Sequence, residues 1–76
     1  MPIRYCMFES WEYSEDAGSY RTFGICALRD GDCAARVADV SLDPDFVARL
    51  ARRCTRSGLD PLHLPDVVED ALNAPA

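Results

Sequence analysis

In the first half of the chain the apolar positions follow, imperfectly, the two-residue rhythm of strands; from Asp43 onward they recur at helical spacing. Residues 3–13 are rich in aromatic and β-prone types and contain neither Gly nor Pro, so an extended segment is expected. Ile3, Tyr5, Met7 and Trp11 form the more apolar set, but Cys6 and Phe8 blur the alternation and leave the buried face open. The Ser, Asp and Gly residues of positions 14–19 make a polar hairpin connection. In residues 20–29, Phe23, Ile25 and Ala27 alternate with Thr22, Gly24, Cys26 and Leu28. Both sets are apolar enough for a middle strand, and Gly24 marks a bulge or the close approach of another element. Asp30-Gly31-Asp32 tolerates positive φ and predicts a tight antiparallel return. Residues 33–41 form a weaker strand, in which the odd separation of Val37 and Val40 predicts an irregularity near Asp39.

The second half carries clearer start and stop signals. Asp43 is a good N-cap acceptor, Pro44 suits the first helical position, and Asp45 complements the positive end of the helix dipole. Phe46, Val47, Leu50 and Cys54, with Ala51 beside them, fall on one face that should pack on the sheet. Gly58 can stop this helix in a left-handed conformation, with Leu59 supplying the accompanying apolar contact. Asp60-Pro61 begins a tight connection, and Pro65 with Asp66 places a second helical start near Leu64. Leu64, Val67, Val68, Ala71 and Leu72 make its apolar stripe, and Asn73 with the terminal Ala-Pro-Ala should fray. The expected fold class is α+β: a three-stranded antiparallel meander followed by two helices packed on one sheet face. Residues 1–76 are expected to form a single domain, with 1–42 the meander and 43–73 the helical pair.

Composition narrows the function classes. A chain of 76 residues buries only about 60% of the surface its unfolded form exposes, so stability should be modest. Its 49% hydrophobic content is that of a globular domain. No apolar run reaches the length of a membrane span and the N-terminus lacks the apolar core of a signal peptide, so the expected location is the cytoplasm. In that setting the four cysteines are expected to be reduced core or near-core thiols. Cys6, Cys26, Cys33 and Cys54 contain no CxxC spacing, and neither a metal site nor a redox motif is implied. The net charge of −5 works against general attraction to nucleic acid or anionic lipid. All eight basic residues are arginine, a bias to which no function attaches.

Three segments together, Tyr-Arg-Thr-Phe-Gly-Ile (20–25), Val-Ala-Asp-Val-Ser (37–41) and Pro-Leu-His-Leu-Pro-Asp-Val-Val-Glu-Asp (61–70), resemble a family of short uncharacterised proteins, a domain of unknown function, from Gram-positive anaerobic bacteria. The resemblance implies a bacterial cytoplasmic protein and brings no activity with it.

Candidate chemistry is sparse. Arg49, Arg52, Arg53 and Arg56 lie three or four residues apart and make a basic stripe that could hold phosphates or an acidic partner, or be a solvated surface offset by Asp45, Asp66, Glu69 and Asp70. A helix-turn-helix reading would put the second helix into DNA, but that helix carries Asp66, Glu69 and Asp70 and no arginine. His63, the single histidine, is expected to bond a free backbone group or an Asp where the second helix starts. A Cys54/His63 nucleophile pair lacks an evident orienting or oxyanion group. Glu9, Glu12, Glu15 and Asp16 lack the ligand spacing of a calcium loop, and there is no glycine-rich phosphate loop. The residues point to a non-enzymatic protein-interaction module with no cofactor, no catalytic residue and no metal ligand. Its partner-binding candidates are Arg49, Arg52, Arg53, Arg56, Trp11, Tyr13 and Tyr20. A protein partner is expected, with homodimerisation as one form of it. The alternatives are a small nucleic-acid-binding regulator using the arginine stripe and, last, a Cys/His-dependent enzyme.

Overall fold

The structure, a computed structural model, describes residues 2–74. The fraying expected for Pro75 and Ala76 lies outside the described residues. Three strands, β1 (Arg4–Ser14), β2 (Gly18–Arg29) and β3 (Asp32–Ser41), precede α1 (Pro44–Ser57), a single 3₁₀ turn (Pro61–His63) and α2 (Leu64–Asn73). The sheet order is β1-β2-β3 with both pairings antiparallel, so the expected meander and its middle strand are present. The tight return between β2 and β3 has positive φ at both Asp30 (53°) and Gly31 (84°), the combination that keeps the right-handed strand twist through a two-residue turn.

The register of β1 and β2 runs without interruption from Arg4 opposite Leu28 to Ser14 opposite Gly18. Tyr5, Met7, Glu9, Trp11 and Tyr13 therefore share a face with Ala27, Ile25, Phe23, Arg21 and Ser19. This is the face beneath the helices. Tyr5, Phe23, Ile25, Ala27 and Val40 from the sheet meet Val47, Leu50, Ala51 and Cys54 of α1 and Leu64 and Val68 of α2 in one core. The β2–β3 register slips between Phe23 and Ile25, where Val37 and Ser41 stand opposite residues only two apart. Asp39 absorbs the extra length with φ 54°, which places the irregularity where the valine spacing put it.

The helix boundaries follow their signals. Asp43 accepts a hydrogen bond from the Asp45 N–H at 3.0 Å, and Gly58 (φ 66°) ends α1 in the left-handed conformation. There the Leu59 N–H reaches the Cys54 carbonyl at 3.1 Å while the Leu59 side chain packs against the core. Asp60 caps the 3₁₀ turn by accepting from the Leu62 N–H at 3.0 Å. The second apolar stripe is narrower than expected: Leu64 and Val68 are buried, Val67 and Ala71 half-buried, and Leu72 is exposed. His63 is corrected outright, since it is exposed and α2 has no side-chain cap.

Tyr5 ties the start of β1 to the end of α1. Its N–H donates to Thr55 Oγ1 at 2.9 Å and its hydroxyl donates to the Leu59 carbonyl at 2.6 Å. Burial, followed by the nearby Cys54 and Asp60, raises its pKa above the ordinary 10.0, with Arg29 opposing. The folded state thus holds the phenol proton more tightly than the unfolded chain, so this contribution is intact below pH 10.0 and is lost as pH rises through the folded value. Denaturant titrations on either side of that pH should show stability falling on the alkaline side. Tyr5→Phe should flatten this fall while costing about 1 kcal/mol at neutral pH through the lost hydrogen bond. Equal alkaline slopes for the two proteins would remove Tyr5 from the account.

Candidate functional site

Beyond Phe23, whose partner on β3 is Ser41 at the strand end, β1 and β2 continue as a two-stranded arm from Ser10–Thr22 to Ser14–Gly18. Four further steps at about 3.3 Å per residue give it a length of about 13 Å. Its polar tip, where the Ala17 N–H donates to Ser14 Oγ at 3.0 Å, satisfies the turn locally. Trp11 (66% exposed) and Tyr13 (72%) stand two residues apart on the helix-side face of this arm, with exposed Met7 (38%) nearer the core on the same face. Neither aromatic is in the core formed with the helices. Arg21, opposite Trp11, lies 3.7 Å from Glu9 and has its guanidinium 5.6 Å from the Phe23 ring centroid. Held between a carboxylate and a ring, it frames the aromatic pair with a charge that is already partnered.

Tyr20, the third aromatic candidate, is on the opposite face of the arm. Its hydroxyl donates to Asp39 Oδ2 at 3.0 Å, while Thr22 Oγ1 donates to Asp39 Oδ1 at 2.8 Å. That hydrogen bond, with burial and the Asp39 and Glu12 charges, raises the Tyr20 pKa. Asp39, at the β3 irregularity, therefore braces the root of the arm, and Tyr20 serves that brace. As a sequence, Trp11, Tyr13 and Tyr20 are equivalent candidates for exposure; strand parity, fixed by the continuous register, separates them.

The arginine stripe is on the exposed side of α1, and it too divides. Arg49 and Arg53 line an open groove of about 870 Å³ between α1 and α2 together with Phe46, Val67, Asp70 and Leu72. Arg52 and Arg56 are exposed and outside that lining. None of the four has a carboxylate within ion-pair distance among the described residues, so the offsetting expected from Asp45, Asp66, Glu69 and Asp70 does not occur as direct pairs. The groove mixes both charge signs with apolar walls, and no buried polar side chain among the described residues lacks a hydrogen-bond partner.

The outer sheet face is built by the alternate residues. The Phe8 ring lies across Gly24, and the Arg36 guanidinium covers that ring at 4.4 Å from its centroid. Beside them stand three thiols: Cys6 is directly opposite Cys26, and the Cys26 and Cys33 sulfurs are 2.9 Å apart. This corrects the expectation of core or near-core thiols for Cys33. Only Cys54 is buried; Cys6 and Cys26 are half-buried and Cys33 is exposed. Burial, the hydrogen bond with Cys33 and the neighbouring Cys33 and Cys6 push Cys26 up to about 11, with Arg36 opposing.

Cys54 sits in the core, where burial raises its pKa against the opposing effect of Arg53, and it has no hydrogen bond to His63 among the described residues. A nucleophile needs the reverse, a stabilised thiolate beside a base. Of the acidic cluster, Glu9 and Glu12 face opposite sides of the arm and Glu15 and Asp16 are at its exposed tip; no metal-ligating group of three or more occurs among the described residues. No helix among the described residues is long and apolar enough to cross a membrane. No protein-family model, curated protein or solved structure matches the chain.

Proposed function

We propose that this is a non-enzymatic protein-interaction module of the bacterial cytoplasm, whose contact surface is the helix-side face of the β1–β2 arm. The observation that carries the reading is the pair Trp11 and Tyr13, side by side and exposed beyond the cover of the helices. Large aromatic side chains with few rotatable bonds bury much area at low entropic cost, and such residues dominate protein contacts. The Asp39 brace holds the root of the arm in place before binding, which lowers the cost of ordering it. A second copy of the chain, giving a homodimer, is one such partner, and sedimentation at micromolar concentration distinguishes it from a different protein.

The nucleic-acid reading keeps one supporting observation, the guanidinium groups of Arg49, Arg52, Arg53 and Arg56, which have no ion-pair partner among the described residues. The chain's net charge of −5 opposes it. A Cys/His-dependent enzyme has no comparable support. Partner recovery from the host cells, with and without nuclease, tests the order of these readings. The W11A/Y13A variant should lose recovery at least about tenfold, as for a pair of binding hot spots, while R49Q/R53Q retains it and nuclease has no effect. Undiminished recovery by folded W11A/Y13A would overturn the arm as the contact surface, and nuclease-sensitive recovery lost in R49Q/R53Q would favour nucleic acid.

A further inference from the structure

We propose that Cys26 and Cys33 are a redox pair that closes to an intrachain disulfide across the β2–β3 hairpin by exchange with a low-molecular-weight disulfide. Their sulfurs, 2.9 Å apart, are well inside the roughly 3.5–4.0 Å of ordinary nonbonded contact and within about 1 Å of a bonded pair. The placement comes from the hairpin itself. The tight Asp30-Gly31 turn sets Cys33 opposite Leu28, and the register shift between Ala27 and Leu28 brings its side chain against that of Cys26 on the outer sheet face. The paired strands already hold the two sulfurs in contact before any bond forms.

The two sulfurs divide the work by exposure. Cys33 is exposed at an edge strand and is the one that an incoming disulfide reaches first; Cys26 is half-buried behind it. In the first step the Cys33 thiolate attacks the small disulfide, forming a mixed disulfide and releasing one small thiolate. Cys26 then loses its proton and attacks the Cys33 sulfur, expelling the second small thiolate. The two protons given up by the cysteines are taken by the two leaving thiolates: two protein thiols are oxidised and one small disulfide is reduced to two thiols. Burial, the largest cause of the raised Cys26 pKa, persists in the mixed disulfide and disfavours the thiolate that this second step needs. Cys6, opposite Cys26 on β1, is the competing thiol, and Cys54 in the core is out of reach.

The chain offers a clean assay. Trypsin cuts after Arg21, Arg29 and Arg36, which separates Cys26 (peptide 22–29), Cys33 (peptide 30–36) and Cys6 from one another. The folded protein is equilibrated in glutathione buffers of increasing glutathione disulfide content, quenched with acid, unfolded, alkylated and digested. Two of the four thiols should become resistant to alkylation together, and peptide 22–29 should appear joined to peptide 30–36, with unchanged far-UV circular dichroism. Cys6→Ser should keep the linkage and Cys33→Ser should abolish it. Full alkylation of Cys26 and Cys33 in excess glutathione disulfide, or linkage of Cys26 to Cys6 in the wild-type protein, would overturn the proposal.

Discussion

Gly24→Ala should lower the melting temperature by about 10–20 °C, corresponding to a loss of about 2–3 kcal/mol. Gly24 is buried in the middle strand, and its backbone does not have positive φ, so the penalty arises from space and not from conformation. A Cβ there would run into the Val37 carbonyl and would stand 2.7 Å from Phe8 Cζ. The Phe8 ring can tilt, at the expense of its contact with Arg36. The Val37 carbonyl cannot move as cheaply, because Val37 pairs with Ile25 at the edge of the register shift. Phe8→Leu introduced together with Gly24→Ala should therefore recover less than half of the loss. Thermal unfolding of the two variants measures both effects. A melting temperature for Gly24→Ala within about 2 °C of wild type would show that the sheet yields at this point, contrary to the argument.

Gly24 also illustrates what a sequence can disclose. A glycine in an otherwise apolar strand has few explanations, and both of those available, a bulge and a close approach, hold at this position. The caps at Asp43 and Gly58 and the turn at Asp30-Gly31 were legible for the same reason: each depends on the local chemistry of one or two residues. The buried face of β1 was not, because Cys6 and Phe8 are as apolar as their neighbours and only the register with β2 decides between the two parities. The arm was invisible because its existence depends on where β3 stops pairing, a property of the Asp39 irregularity and not of residues 10–22 themselves. The Cys26–Cys33 approach likewise needs the hairpin register, which their spacing in the chain does not state. His63 is a different case: as the last residue of the 3₁₀ turn it has its backbone N–H on the Asp60 carbonyl at 2.9 Å, and its side chain is exposed.

Leu64→Ala should be among the most damaging single substitutions, costing about 2–5 kcal/mol. A domain of 76 residues has about 4–11 kcal/mol in total at the usual stability per residue, so the variant should be close to partial unfolding at ambient temperature. The reason lies in how α2 is held. Ten residues are too few for a stable helix in isolation; α2 begins without a side-chain cap and buries fully only Leu64 and Val68. Truncating Leu64 removes the anchor at the first helical position, next to Pro65, from a core it shares with Val47 and Ile25. Val67, Asp70 and Leu72 would then cease to form the wall that faces Arg49 and Arg53. Leu62, two residues earlier, is the matched control: it is 78% exposed, and Leu62→Ala should change stability by no more than about 0.5 kcal/mol. Hydrogen exchange adds a positional readout, with Leu64→Ala expected to speed exchange in α2 before the paired strands, since the helix loses its contacts while the β1–β2 register remains intact. Equal melting temperatures for the Leu62 and Leu64 variants would mean that α2 is held by something other than the buried leucine at its start.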